Sequence, residues 1–109
     1  MGSVKYKGKS YEVDSNNFLA DYNSWDKDFA KGMAQRLGMA KDLTKEQWDV
    51  IKFLRGSYEE TGICPNVFET CRMCNLRTYQ LWTLFPHGYL RGACKLAGIS
   101  YKEGYLGEY

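Results

Sequence analysis

The chain has 109 residues, enough for one domain, and a chain of this size buries about two thirds of the surface it exposes when unfolded. With 44% hydrophobic, 16% aromatic and 26% charged residues, and 2 Pro against 11 Gly, the composition excludes collagen-like and intrinsically disordered classes. A net charge of +2 is too small to argue for nucleic acid by itself. It is unevenly spread, however: residues 1–69 carry 10 basic and 11 acidic side chains, while Thr70 to Lys102 holds Arg72, Arg77, Arg91, Lys95 and Lys102 and no acid. That last third suits an anionic ligand, an acidic partner surface or a phosphate backbone.

Residues 3–14 alternate apolar and polar side chains on both sides of Gly8-Lys9, which predicts a β-hairpin turning at those two residues. Ser24 or Asp26 can cap a helix running to about Leu37, with Phe29, Met33 and Leu37 spaced four apart and Gly32 weakening its middle. Thr44-Lys-Glu-Gln47 has the form of a capping box, and Trp48, Ile51, Leu54 and Tyr58 continue at helical spacing until Gly62.

Cys64-Pro65 opens a new element, since the residue before Pro avoids helical dihedrals and Pro suits the first helical turn. Pro65 to Met73, a turn at Asn75, then Leu76 to Phe85 read as a helix-turn-helix-like pair, with Asn75 at a left-handed position. His87-Gly88 begin a short last helix that Gly98 closes. The chain therefore reads as a mainly α domain over residues 1–98, a small helical bundle with an N-terminal hairpin, followed by a flexible arm over 99–109. No run of 18 apolar residues and no hydrophobic leader segment occurs, so the expectation is a cytoplasmic protein without a membrane span.

The four cysteines are the chemically informative residues. Cys94 lies three residues after Arg91 and one before Lys95, and a cation within a helical turn lowers a thiol pKa, as a nucleophile or persulfide carrier requires. The alternative for a single Cys is a small buried hydrophobe. Cys71-Arg-Met-Cys74 is a C-x-x-C pair lying inside a helical stretch, without the βαβ context of a thioredoxin-like motif. With Cys64 and Cys94 the spacing is C-x6-C-x2-C-x19-C, a weak pattern for a metal or iron–sulfur site, and no metal is assigned. His87, the only histidine, reads as a cap or surface residue. No paired carboxylates, hydrolase triad or Gly-rich phosphate loop is present, and no cofactor is implied.

From Leu84 to Gly98 the sequence Leu-Phe-Pro-His-Gly-Tyr-Leu-Arg-Gly-Ala-Cys-Lys-Leu-Ala-Gly resembles the DsrC/TusE/DsvC family, whose first member is known as the dissimilatory sulfite reductase gamma subunit. That family shows Leu-Phe-Pro-x-Gly-Pro-x-x-Gly-Ala-Cys-Lys-x-Ala-Gly here. The likeness extends to the N-terminal hairpin, Phe18-Leu19, Trp25, the helix ending in Tyr58, and Gly62-Ile63-Cys64-Pro65.

The resemblance implies an orthogonal helical bundle and a sulfur-carrying arm ending in Gly-Cys-x. In the sulfite-reductase branch the Cys of Gly-Ala-Cys-Lys works with a second Cys eleven residues on; in the tRNA-thiolation branch the arm Cys alone accepts a persulfide. The first Cys maps to Cys94, but the second position is Tyr105, preceded by Gly104. Ser100-Tyr101-Lys102 replaces the arm's Pro-Lys-Pro, and Tyr89 stands where the family has Pro.

The implied function is a sulfur-relay family protein of dissimilatory sulfur metabolism that partners sulfite reductase or sulfur-transfer proteins in a binding or regulatory role. It is not expected to be an enzyme by itself, and is at most sulfurtransferase-like through Cys94, a candidate persulfide or mixed-disulfide site that Cys64, Cys71 or Cys74 would have to resolve. Arg91, Lys95, Arg72, Arg77 and His87 are the candidate binding residues. The alternative is a helix-turn-helix DNA-binding regulator of sulfur-metabolism genes, with Arg72 and Arg77 on phosphates.

Overall fold

The structure, a computed structural model, describes residues 2–15, 17–39 and 42–99. Two strands, β1 (Gly2–Tyr6) and β2 (Lys9–Val13), form an antiparallel hairpin with Val4 opposite Tyr11 and Tyr6 opposite Lys9. The turn falls at Lys7-Gly8, one residue earlier than the expected Gly8-Lys9. Both turn residues have positive φ, 53° and 78°, as a primed two-residue turn demands, and that turn prefers Gly in its second place. Lys9 is thereby in the ladder, and its Nζ lies 3.0 Å from both Asp26 and Asp28.

Helix α1 spans Lys27–Arg36, capped by Asp26, whose carboxylate accepts from the Phe29 amide at 2.9 Å and from the Tyr11 hydroxyl at 2.6 Å. Burial is the largest single influence on the Asp26 carboxyl and pushes its pKa up, but the Tyr11 hydroxyl, the Phe29 amide and the Lys9 ammonium together outweigh it and hold the group below its ordinary value. Gly32, which weakens this helix by propensity, has a packing reason: a Cβ there would lie 2.7 Å from the Tyr6 ring. The hairpin rests directly on the helix backbone.

Helix α2, Lys45–Thr61, begins with the anticipated capping box. The Gln47 amide donates to Thr44 Oγ1 (3.1 Å) and the Thr44 amide to Gln47 Oε1 (2.7 Å). Gly62 ends it in the left-handed conformation. Its buried face is Gln47, Val50, Ile51 and Leu54, while Trp48 and Tyr58 pack half-buried at the margin.

Helices α3 (Val67–Met73) and α4 (Thr78–Leu84) form the expected pair; α3 starts two residues later than the sequence suggests and ends at Met73 as expected, while α4 is shorter at both ends. Asn66 caps α3 through the Glu69 amide, and Asn75, at φ 58°, makes the left-handed turn. Gln47 reaches across to the end of α4, its Nε2 donating to the Leu84 carbonyl at 2.6 Å.

The last helical segment is not the α-helix expected after His87-Gly88. Tyr89–Cys94 is π-helical, with the Ala93 amide on the Gly88 carbonyl at 3.2 Å. The chain then closes at Gly98, where φ is +76° and an added Cβ would lie 2.6 Å from Trp25. Phe85, Tyr89, Leu96 and Ile99 from this half meet Phe29, Met33, Ile51 and Leu54 from the other in one core. Ile99, the first residue expected in the arm, is buried; 100–109 lie outside the described residues.

Candidate functional site

Two irregular segments converge at the sulfur site. One is the loop from Gly62 to Asn66, which passes through Pro65 into the α3 cap. The other is the π-helical turn. Such turns are uncommon and recur at functional sites, and this one is anchored at its far end by aromatic and cationic side chains. Trp25 Nε1 donates to the Leu96 carbonyl at 2.7 Å and Arg55 to the Ala97 carbonyl at 2.8 Å. The Arg55 guanidinium lies 3.9 Å from the Tyr22 ring centroid and 4.1 Å from that of Trp25. Burial lowers the Arg55 pKa, and Tyr22 and Glu59 oppose that shift.

Where the segments meet, Cys64 Sγ lies 3.2 Å from Cys94 Sγ and 3.7 Å from the Tyr89 hydroxyl. That hydroxyl is also 2.8 Å from Thr70 Oγ1 and donates to the Pro65 carbonyl. The two sulfurs differ in environment. Cys94 is 1% exposed, and burial, with hydrogen bonding to Cys64 next, pushes its thiol well above the ordinary value. Cys64 is half-buried, and the hydrogen bond from Cys94, then burial opposing it, then the Tyr89 hydroxyl, leave its thiol below the ordinary value. Tyr89 itself is pushed far up by burial and by the two thiols.

The expectation that a neighbouring cation activates Cys94 is therefore not met. Arg91 is exposed to solvent, and desolvation dominates at the sulfur. Lys95 is buried, its Nζ 4.8 Å from the Phe18 ring centroid, with its pKa lowered first by burial and then by Arg91. His87 is exposed and donates from Nε2 to the Leu37 carbonyl at 2.7 Å. Arg72 and Arg77 are exposed on α3 and at the start of α4. The candidate binding residues thus do not gather around Cys94.

Cys71 is buried in the core and Cys74 half-buried; burial raises both thiols, Cys74 to about 11. No cluster of three or more His, Cys, Asp or Glu able to hold a metal occurs among the described residues, and no helix among them is long and apolar enough to cross a membrane. Two features escaped the sequence reading. Tyr89 was visible only as a departure from the Pro of the resembled family. A cavity of about 390 Å³ is lined by Lys27, Lys31, Lys45, Trp48, Asp49 and Lys52, lysines that look balanced by acids in sequence until α1 and α2 bring them together.

The sequence model of the family described as DsrC like protein matches residues 5–104. The chain belongs to the DsrC family. Among DsrC-family relatives it is 33% identical over 104 residues to the dissimilatory-type sulfite reductase subunit gamma of Nitratidesulfovibrio vulgaris, covering 95% of this chain and 98% of that one. It is 30% identical over 101 residues to the sulfurtransferase TusE of Escherichia coli O6:H1, covering 86% and 91%. In structure it is similar to a chain of the crystal structure of dissimilatory sulfite reductase I, with a TM-score of 0.89 and 28% identity over 96% of this chain and all of that one. The helical DsrC architecture with its N-terminal hairpin is thus the architecture of this chain, as its sequence implied.

Proposed function

We propose that this DsrC-family protein acts in the cytoplasm, in dissimilatory sulfur metabolism, as a binding or regulatory partner of sulfite reductase or of sulfur-transfer proteins. The observation that carries this reading is Tyr105, a phenol at the position where the family's arm holds its sulfur-carrying thiol. A phenol cannot hold a sulfane group, so the Cys94 pocket is the remaining seat of sulfur chemistry. The family membership and the identities of its relatives, a sulfite reductase subunit and a sulfurtransferase, support the choice of partners.

A protein partner is also favoured over DNA by what the helix pair exposes. Phe68 and Met73 of α3 and Tyr79 and Trp82 of α4 are solvent-exposed, and Arg72 and Arg77 are the basic side chains beside them. Large exposed apolar side chains suit a protein interface, whereas phosphate contacts need a denser basic face. The test is affinity capture from native extract with the tagged full chain. Recovery of sulfite reductase or sulfur-relay proteins is expected. Recovery of neither, together with a salt-sensitive mobility shift of duplex DNA, overturns the reading.

A further inference from the structure

We propose that Cys64 and Cys94 form a redox-active dithiol that delivers two electrons to a reactant bearing a sulfur–sulfur bond, a small disulfide or a persulfide, and closes as a Cys64–Cys94 disulfide. The sulfurs are already in contact at 3.2 Å, so forming a bond of ~2.05 Å asks for an approach of only about 1.2 Å. Their exposure assigns the roles. Cys64, half-buried on the loop, is the sulfur an incoming reactant meets, and Cys94, 1% exposed, is shielded from anything larger than its neighbours.

The surrounding groups fit these roles. The Cys94 thiol hydrogen-bonds toward Cys64 Sγ, a contact that favours the Cys64 thiolate, and the Tyr89 hydroxyl lies 3.7 Å from the same sulfur. Thr70 and the Pro65 carbonyl hold the Tyr89 hydroxyl in place. With a disulfide RSSR, the Cys64 thiolate attacks one sulfur, forming Cys64–S–SR and expelling RS⁻. Cys94 Sγ then attacks Cys64 Sγ. The Cys64–Cys94 bond forms, the Cys64–SR bond breaks, and the Cys94 proton leaves with one of the two R thiolates, so that RSSR has gained two electrons.

With a persulfide RSSH, Cys64 takes the terminal sulfur and RS⁻ leaves. Attack by Cys94 on Cys64 then expels that sulfur as hydrosulfide, so the sulfane sulfur is reduced by the two thiols. The pair's chemistry is separate from partner docking, and each is testable without the other.

The test treats the reduced full chain with oxidised glutathione, and in a second arm with glutathione persulfide. The products are alkylated and read by intact mass and peptide mapping. The wild-type chain is expected to lose two alkylatable thiols, retain no glutathione, and yield a Cys64–Cys94 linked peptide, with one sulfide released per disulfide in the persulfide arm. In Cys94→Ala the adduct stays on Cys64, its release slowed at least about 100-fold by loss of the intramolecular attack. In Cys64→Ala, modification at position 94 slows by a similar factor.

The wild-type linkage map does not depend on how either variant folds. In urea, where the contact is lost, the preference for Cys64–Cys94 pairing is expected to disappear. A wild-type chain that keeps a stable adduct on Cys64, links either residue to Cys71 or Cys74, or pairs the same way in urea overturns the proposal.

Discussion

Cys71 and Cys74 are separated by two residues in a C-x-x-C pattern and Cys64 and Cys94 by 29, yet the distant pair is the one in sulfur–sulfur contact. The near pair belongs to the end of α3, where Cys71 packs into the core and Cys74 caps the helix; burial raises both thiols. The distant pair sits where a proline-bounded loop meets a π-helical turn, and each sulfur has the other as a hydrogen-bonding partner. Spacing places two thiols on a common helical face, but reactivity follows from which polar groups surround each sulfur and how much water it keeps.

The sharpest test of that contrast is a pH series of thiol alkylation. Cys64, held below its ordinary value of 9.0, is expected to show its alkylation midpoint below pH 9, whereas Cys74 keeps gaining thiolate up to about pH 11. Near pH 8 the two differ by about 100-fold in rate. Equal rates, read by mass mapping, break the comparison.

Tyr89→Phe comes next in size. It strips the hydroxyl from Cys64, Thr70 and the Pro65 carbonyl, and leaving buried polar groups unpaired costs about 1–3 kcal/mol in denaturant unfolding. The same change raises the Cys64 thiol toward its ordinary value, so its alkylation profile moves to higher pH. A stability loss without that movement would show that the hydroxyl holds the loop but does not act on the sulfur.

The smallest effect is expected from Asn66→Ala, which removes the α3 cap immediately after Cys64-Pro65 and costs about 1 kcal/mol. Because Cys71 and Cys74 lie at the opposite end of the same helix, hydrogen exchange at the Glu69 amide should rise while Cys74 alkylation stays unchanged.

Much of this was legible in the chain itself because its signals are local. The Thr44–Gln47 box, the Gly62 stop, the Asn75 turn and the alternation of the hairpin each depend on residues within one turn of each other, and all four appear in the fold. The hairpin turn slipped by one residue because alternation fixes the face of a strand but not where the chain reverses. The activation expected from Arg91 failed for a different reason: charge along the sequence says nothing of burial, and desolvation at Cys94 outweighs a cation that stays in water.

By itself, then, the sequence determined the family and the helical bundle with its hairpin, and it set Cys94 and Tyr105 against the two thiol positions that the resemblance implies, since these rest on residue identity and short-range pattern. Only the tertiary structure decided that Cys64 is in contact with Cys94, that the Tyr89 hydroxyl sits beside Cys64, and that lysines of α1 and α2 share one cavity. Those contacts join residues from separate elements, and where such elements meet is set by how their apolar faces pack.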